Sequence, residues 1–251
     1  RDRTFAVSSV LMFFLGFILL GSTYLIPAFV QDLLGYTATD AGLVLTPGAV
    51  FLILMMPLVG RMQARVDVRW MIAFGLVTAG GALLWLARFD LTIDYGHIML
   101  ARIIQSIGLG FLFVPINTVA FSSLAEDKTS NASGLINLWR NLGGSVGISL
   151  ASSLLARRAQ LHQADLGPAF SLAHRPFDET YHRLAAYLSH LAQAGGGDRS
   201  LAALYQSLYA QARLMSYLDG FELFGLIFIA AVAVLLIMPR PKLSGGAAPV
   251  G

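Results

Sequence analysis

The stretch that decides the fold is Thr4–Val30, TFAVSSVLMFFLGFILLGSTYLIPAFV, which contains no Asp, Glu, Lys or Arg. A transmembrane helix needs roughly 17–25 mostly apolar residues to cross ~30 Å of hydrocarbon, and this run is long enough. Three further charge-free runs qualify, a fourth segment qualifies if it tolerates Arg140, and a fifth carries Asp219 and Glu222 only in its first turns. The sequence therefore predicts six transmembrane helices, at Thr4–Val30, Ala41–Gly60, Trp70–Ala87, Ile103–Ala125, Ala132–Ala156 and Tyr217–Met238.

The composition excludes an ordinary soluble domain. Of 251 residues, 56% are apolar and 12% are charged, whereas a soluble domain has about 25% charged residues. The mean hydropathy is +0.69. The chain has no cysteine, which excludes disulfides and thiolate chemistry. We find no motif of an enzyme, a nucleotide-binding loop or a metal site, and we expect neither catalysis nor a cofactor.

Basic residues predict the orientation of the helices. Arg61, Arg65 and Arg69 share a loop, and the other basic residues of that face are Arg1, Arg3, Lys128, Arg240 and Lys242. Because Lys and Arg prefer the cytoplasmic side, we expect both ends of the chain to be cytoplasmic. The chain opens Arg1-Asp2-Arg3 without Met, and we expect it to be part of a longer polypeptide. The predicted division is 1–156 for helices one to five, 157–216 for an extracytoplasmic loop, 217–240 for the last helix and 241–251 for a cytoplasmic tail.

The predicted outer loop contains two amphipathic stretches separated by Gly195-Gly196-Gly197. No Gly or Pro lies between Ser200 and Asp219, so the second stretch is expected to continue into the last helix. Two interpretations remain open, a helical hairpin packed on the membrane surface and a docking surface for a partner. The four histidines of the loop are eight or more residues apart, and we expect solvated side chains rather than a metal site, at His162, His174, His182 and His190.

Polar residues inside the predicted spans are costly in lipid, so we expect each to face protein or a wet cavity. Arg140 lies between Asn137 and Asn141, on one polar face of the fifth helix. It is either a ligand or gating contact or a cap on backbone carbonyls near the cytoplasmic side. In the fourth helix Gln105 should need a partner, whereas Arg102 is expected to snorkel to the outer interface.

Small residues and prolines give further indications of how the helices pack. Gly143, Gly147 and Ala151 recur every four residues and predict a close helix–helix contact. Prolines are expected to interrupt several helices, which is typical of a transporter rather than a rigid anchor. Asp and Glu are absent from the first five predicted spans, so a buried carboxylate relay for protons is not visible here. The prolines concerned are Pro27, Pro47, Pro57 and Pro115.

Several local patterns resemble one family, the EmrB/QacA-type drug–proton antiporters, which are fourteen-helix members of the major facilitator superfamily. The run Gly35–Gly48 and Pro57-Leu58-Val-Gly60-Arg61 are similar to the region of its ninth and tenth helices. The loop Gly60–Arg69 resembles the cytoplasmic signature of the superfamily, with Ala64 and Asp67 departing from it. Similar matches are Arg102-x-x-Gln105-Ser106-x-Gly108, Asn137-x-x-Arg140-x-x-Gly143-Gly144-Ser145-x-Gly147 and Asp219-Gly220-Phe221.

The resemblance implies an all-α membrane protein, with six transmembrane helices forming the carboxy-terminal half of the transporter bundle. It implies proton-driven export of amphiphilic drugs across a bacterial inner membrane by alternating access, with the proton gradient as energy source and no cofactor. Helices one, two, four and five would line the cavity. The candidate cavity residues are Tyr24, Gln105, Asn117, Asn137 and Arg140, with Phe17 and Phe113 as apolar walls, and Gly60, Arg65 and Arg69 in the gating loop.

The partners implied are amphiphilic small molecules, the lipid bilayer and the missing amino-terminal half. Gram-negative relatives add a periplasmic adaptor and an outer-membrane channel. The alternative is a non-transporting membrane scaffold, or a truncated half-transporter that pairs with a partner. A reading frame with more apolar spans upstream of Arg1 favours the transporter, and a start codon just before Arg1 favours the half-protein.

Overall fold

The computed structural model describes residues 3–91, 93–122, 129–169, 178–183, 186 and 196–237. These residues form long α-helices and a short 3₁₀ turn, Gly167–Ala169, and the described part of the chain contains no strand. A short helical stretch covers 178–183. The long helices are α1 (Arg3–Leu34), α2 (Ala38–Met62), α3 (Val68–Leu86), α4 (Tyr95–Ser122), α5 (Thr129–Leu166) and α6 (Gly196–Ile237).

Short, well-capped loops join the first three helices. Gly35 adopts φ 68°, a left-handed conformation suited to glycine, and ends the turn after α1. Thr37 and Asp40 then form a reciprocal capping box at the start of α2. Asp67 caps α3 by accepting a hydrogen bond from Arg69 N at 3.0 Å. These caps fix tight antiparallel connections between α1, α2 and α3.

Five of the six predicted spans correspond to helices long and apolar enough to cross a membrane: Ser9–Leu34, Ala38–Met62, Val68–Leu86, Tyr95–Val119 and Leu201–Ala233. The segment predicted as the fifth span lies within α5 but is not among these five, and the count of six stays a prediction. The fourth helix begins at Tyr95, eight residues before the predicted start at Ile103. Arg102 lies inside this helix, and its charge made the predicted span begin too late.

The prolines do not interrupt the helices, and the expectation of helix breaks was wrong. Pro27 lies within α1, Pro47 and Pro57 lie within α2, and Pro115 lies within α4. A proline removes one backbone hydrogen bond, and in a membrane helix neighbouring helices and polar side chains compensate for the loss. Each of the three helices therefore continues past its prolines.

Two sets of helix–helix contacts hold the bundle together, and α6 takes part in both. α1 packs along α5, whereas α4 packs against both α2 and α3. α6 contacts α3, α5 and α1. The core between them is apolar and aromatic, and Phe29 of α1 makes edge-on contacts with Tyr217 and Phe221 of α6 at centroid distances of 5.6 and 5.8 Å.

Glycines allow the backbones of these helices to touch. A methyl group added at Gly143 or Gly147 would overlap the backbone of Phe13 or Phe17 in α1, and one added at Gly16 would overlap the carbonyl of Arg140. Ala151, the third member of the predicted small-residue stripe, is fully buried. Small residues permit such approaches in membranes, where dispersion contacts rather than hydrophobic burial drive helix association.

Two other helix pairs meet in the same way. In the α3–α4 pair, a methyl group at Gly108 would lie 2.7 Å from Gly75 O. In the α3–α6 pair, a methyl group at Gly80 would lie 3.1 Å from Gly225 O. In each of these two helix pairs, a glycine of one helix therefore lies directly against a glycine of the other.

Helices continue into both ends of the predicted outer loop, 157–216. α5 passes the predicted span end at Ala156 and ends at Leu166. α6 begins at Gly196 and runs without a break to Ile237, as expected from the lack of Gly and Pro between Ser200 and Asp219. Most of the first amphipathic stretch, with His174 and His190, lies outside the described residues, as does the tail 241–251.

The α1–α5 contact leads to a stability prediction. Gly143→Ala should lower the free energy of unfolding by about 1–3 kcal/mol, because the added methyl group pushes α5 away from Phe13. Gly134→Ala is a matched control on the same helix, since no atom lies within 4 Å of the methyl position there. Thermal unfolding of the detergent-solubilised protein measures both, and an equal effect of the two substitutions would contradict the close contact.

Candidate functional site

The exposed face of α5 carries a polar stripe, which we define as Asn137, Asn141, Ser145, Ser149 and Ser153. These residues recur every four positions and therefore lie on one side of the helix. All five are exposed, while Gly143, Gly147 and Ala151 are buried on another face. Ser145 Oγ donates to the backbone carbonyl of Asn141 at 3.0 Å, so its hydroxyl is partly satisfied within the helix.

Arg140 lies beside the polar stripe and is half-buried. Its backbone carbonyl contacts Gly16 of α1. Among the residues that the structure describes, no carbonyl or carboxylate pairs with the guanidinium. Both interpretations of Arg140, a ligand or gating contact and a cap on backbone carbonyls, stay predictions.

The other predicted cavity residues are not all equally accessible. Tyr24 of α1 is 36% exposed, whereas Gln105 of α4 is completely buried. Asn117 is half-buried, and its Nδ2 donates to the carbonyl of Phe113 in its own helix at 2.6 Å. The proposed walls Phe17 and Phe113 are half-buried, and Phe17 stacks on Phe224 of α6 at 5.7 Å. Tyr24 and Asn137 are thus exposed and Arg140 is half-buried, while Gln105 is completely buried.

Gln105 belongs to a buried polar cluster with Arg102. Arg102 is only 7% exposed, so the expected snorkelling to the interface is wrong. Its Nη1 donates to Gln105 Oε1 at 2.6 Å and to Thr23 Oγ1 of α1 at 3.5 Å. The pair forms because residues three apart share a helix face, and it provides the partner that Gln105 was expected to need.

The predicted gating loop lies at the carboxy-terminal end of α2. Gly60 and Arg65 are exposed, and Arg69 is half-buried at the start of α3. Sequence reasoning missed Gln63, whose Oε1 accepts a hydrogen bond from Thr118 Oγ1 of α4 at 3.1 Å. This bond ties the loop to the end of α4, and the only sequence signal for it was the position of Gln63 inside the recognised signature.

At the opposite end of the bundle, acidic residues join α6 to its neighbours. Asp219 Oδ2 lies 2.8 Å from His162 Nε2 and 3.5 Å from Arg158 Nε, both on α5. Asp32 of α1 pairs with Arg213 and accepts a hydrogen bond from Tyr217 OH at 2.5 Å. The expectation of a solvated His162 is wrong, because the extension of α5 to Leu166 brings this residue against α6. In the described ranges, no three His, Asp or Glu side chains cluster to hold a metal ion.

A family comparison agrees with this helical arrangement. Residues 1–148 match the model of the Major Facilitator Superfamily. The chain belongs to this superfamily. Its resemblance to EmrB-type drug transporters is confirmed by individual relatives.

Three relatives show the extent of the likeness. "Fatty acid resistance protein FarB" of Neisseria gonorrhoeae is 28% identical over 98% of this chain and 47% of its own length. "Probable multidrug resistance protein EmrY" of Escherichia coli K12 is 32% identical over 68% of this chain and 35% of its own length. "Multidrug export protein EmrB" of the same strain is 25% identical over 98% and 47%. The chain spans about half the length of the curated relatives it matches.

The α5–α6 ion pair leads to a local prediction. His162→Ala should weaken this contact between the two helices by about 1–3 kcal/mol, because it leaves a half-buried carboxylate without its closest partner. Hydrogen exchange of the amides around Arg158 and Asp219 measures the effect. His182→Ala is the control, since this side chain is 69% exposed and its removal should change stability by less than about 0.5 kcal/mol. Equal protection in both variants would show that the His162 contact contributes nothing.

Proposed function

We propose that this chain is the carboxy-terminal half of a proton-driven exporter of amphiphilic compounds. In this proposal the half rocks against an amino-terminal half, so that a cavity between them opens alternately to either side of a bacterial inner membrane. Both ends of the chain are cytoplasmic. The family membership and the printed names of relatives, which refer to multidrug export and fatty acid resistance, support an export function.

The polar stripe of α5 is the observation on which this proposal depends most. A row of exposed Asn and Ser residues is unfavourable against hydrocarbon, and the half-buried charge of Arg140 beside it is more so. Such a face is stable when it borders a water-filled cavity or another polar surface. The stripe therefore supports a cavity wall on α5, shared with the exposed Tyr24 on α1.

The cavity offers few polar anchors on an otherwise apolar surface. Asn137 and Asn141 present amide donors and acceptors, and Arg140 presents a cation. Beside them α5 exposes large apolar residues such as Leu138 and Leu142. A surface of this kind binds molecules with one polar group and a large apolar part, which is the chemistry of amphiphiles.

Energy coupling is proposed to depend mainly on groups outside this chain. Asp32 lies near the end of α1, and both Asp32 and Asp219 are already paired with basic side chains. Neither occupies the middle of a helix that borders the proposed cavity. The proton-binding carboxylates of such an exporter would then belong to the amino-terminal half.

The extracytoplasmic ends of α5 and α6 are proposed to receive a periplasmic adaptor, which leads to an outer-membrane channel. Beyond the predicted spans these ends expose Leu161, Leu201 and Tyr205. Gln163 Nε2 donates to Tyr205 OH at 2.9 Å and links the two extensions. Exposed apolar residues on a joined pair of helices are typical of a contact surface.

Arg140→Ala tests the role of the cavity in export. Dye efflux from cells that express the full-length protein should fall about tenfold or more, the value of one hydrogen bond to a charged group. Arg140→Lys should retain part of the activity, and Arg157→Ala, an exposed position on the same helix, should retain all of it. Immunoblots of the membrane fraction control for insertion. Unchanged efflux in Arg140→Ala would assign this residue a structural role.

A gradient-collapse experiment separates the proposal from its alternative. Addition of a protonophore should stop dye efflux by the full-length protein within the time needed to collapse the gradient. Efflux that persists after collapse would contradict proton coupling. A full-length protein that inserts correctly but exports no amphiphile at any gradient would favour the membrane scaffold instead.

A further inference from the structure

One face of α4 carries three buried polar atoms that lack a hydrogen-bond partner among the described residues: Arg102 Nε, Gln105 Nε2 and Ser106 Oγ. Arg102 is 7% exposed, and the other two side chains are 0% and 1% exposed. The positions i, i+3 and i+4 place the three residues on one side of the helix. Because buried polar groups in proteins nearly always have a partner, this group requires an additional one.

All three unpartnered groups are able to donate a hydrogen bond. Arg102 offers Nε–H, Gln105 offers its amide N–H and Ser106 offers its hydroxyl. The acceptor oxygen of Gln105 is already occupied by Arg102 Nη1 at 2.6 Å. The missing partner is therefore an acceptor.

The charge of Arg102 is also uncompensated. Its hydrogen-bond partners, Gln105 and Thr23, are neutral, and within the described ranges no carboxylate lies within 4 Å of the guanidinium. A buried cation is stable when an opposite charge lies against it. The missing acceptor is therefore expected to be an anion.

Gly48 of α2 packs directly against this face of α4. A methyl group at Gly48 would lie 2.5 Å from Ser106 Oγ and 3.2 Å from Arg102 Nε. Ser106 and Arg102 thus lie against the Gly48 backbone, and a side chain at position 48 would displace them.

We propose that Arg102, Gln105 and Ser106, with Gly48, form a binding site for one monovalent anion, which we call the anion cluster. The acceptor is either a chloride ion or a carboxylate oxygen of an exported amphiphile. Both accept hydrogen bonds from several donors at once and neutralise the guanidinium. The carboxylate case rests on the proposed export function, whereas the chloride case does not.

Thermal unfolding of the purified full-length protein tests the anion cluster without any transport. The protein in detergent is titrated with sodium chloride or with sodium octanoate, and sodium sulfate keeps the ionic strength constant. The melting temperature should rise and saturate with one or both titrants, because a ligand that binds the folded state stabilises it. If only chloride gives a saturating rise in melting temperature, the ligand is the inorganic ion. If octanoate competes with chloride, the cluster binds a carboxylate.

Matched variants locate the effect. Ser106→Ala should weaken the apparent affinity about tenfold or more by removing one donor to a charged acceptor, and Arg102→Gln and Gly48→Ala should abolish the response. Ser22→Ala is the control for Ser106, since Ser22 is also fully buried but bonds the carbonyl of Leu19 in its own helix. Gly42→Ala is the control for Gly48, because no atom lies within 4 Å of the added methyl group.

Two results would overturn the proposal. One is a melting temperature that does not respond saturably to either titrant, in which case the cluster holds water. The other is a response that Ser106→Ala and Gly48→Ala retain at the strength of their controls. If Arg102→Gln does not fold, these two variants decide the outcome. An exporter can fail this test, and a protein that exports nothing can pass it, so the result is independent of the transport assays.

Discussion

The close approach of helix backbones at glycines is the constraint on which the structure depends. Gly16 meets Arg140, Gly75 meets Gly108 and Gly80 meets Gly225. A bilayer offers no water to expel between apolar side chains, so helices associate only where their surfaces fit closely. These contacts set the positions of α1, α3, α4, α5 and α6, and the remaining side chains fill the spaces that result.

The orientation of α5 follows from this constraint and connects packing with function. The glycines and Ala151 occupy the side of α5 that faces α1, so the polar stripe necessarily points away from the core. The same polarity explains why α5 is not among the five strongly apolar helices. A helix with one closely packed face and an exposed row of Asn and Ser residues is consistent with the proposed cavity wall.

The predictions from the sequence failed mainly at charged and polar residues. The charge-free runs marked the apolar helices but placed the start of α4 after Arg102. A charged residue ends such a run even when it is buried inside the helix. Gln105 was correctly expected to need a partner. The partners of His162 and Asp32 were not foreseeable, because they lie 57 and 181 to 185 positions away along the chain. Prolines were also misjudged, since tertiary contacts and side-chain donors sustain helices that local propensity would end.

The sequence by itself determined the membrane class, the number and order of the apolar helices except α5, and the small-residue face of that helix. It did so because hydropathy and helical periodicity are local properties of the chain. The tertiary structure alone decided that Arg102 is buried rather than at the interface, that Asp219 meets His162, and that Tyr24 is exposed and Arg140 half-buried while Gln105 is completely buried. Burial and pairing depend on which helix covers which face, and that choice is made by contacts between residues far apart in sequence.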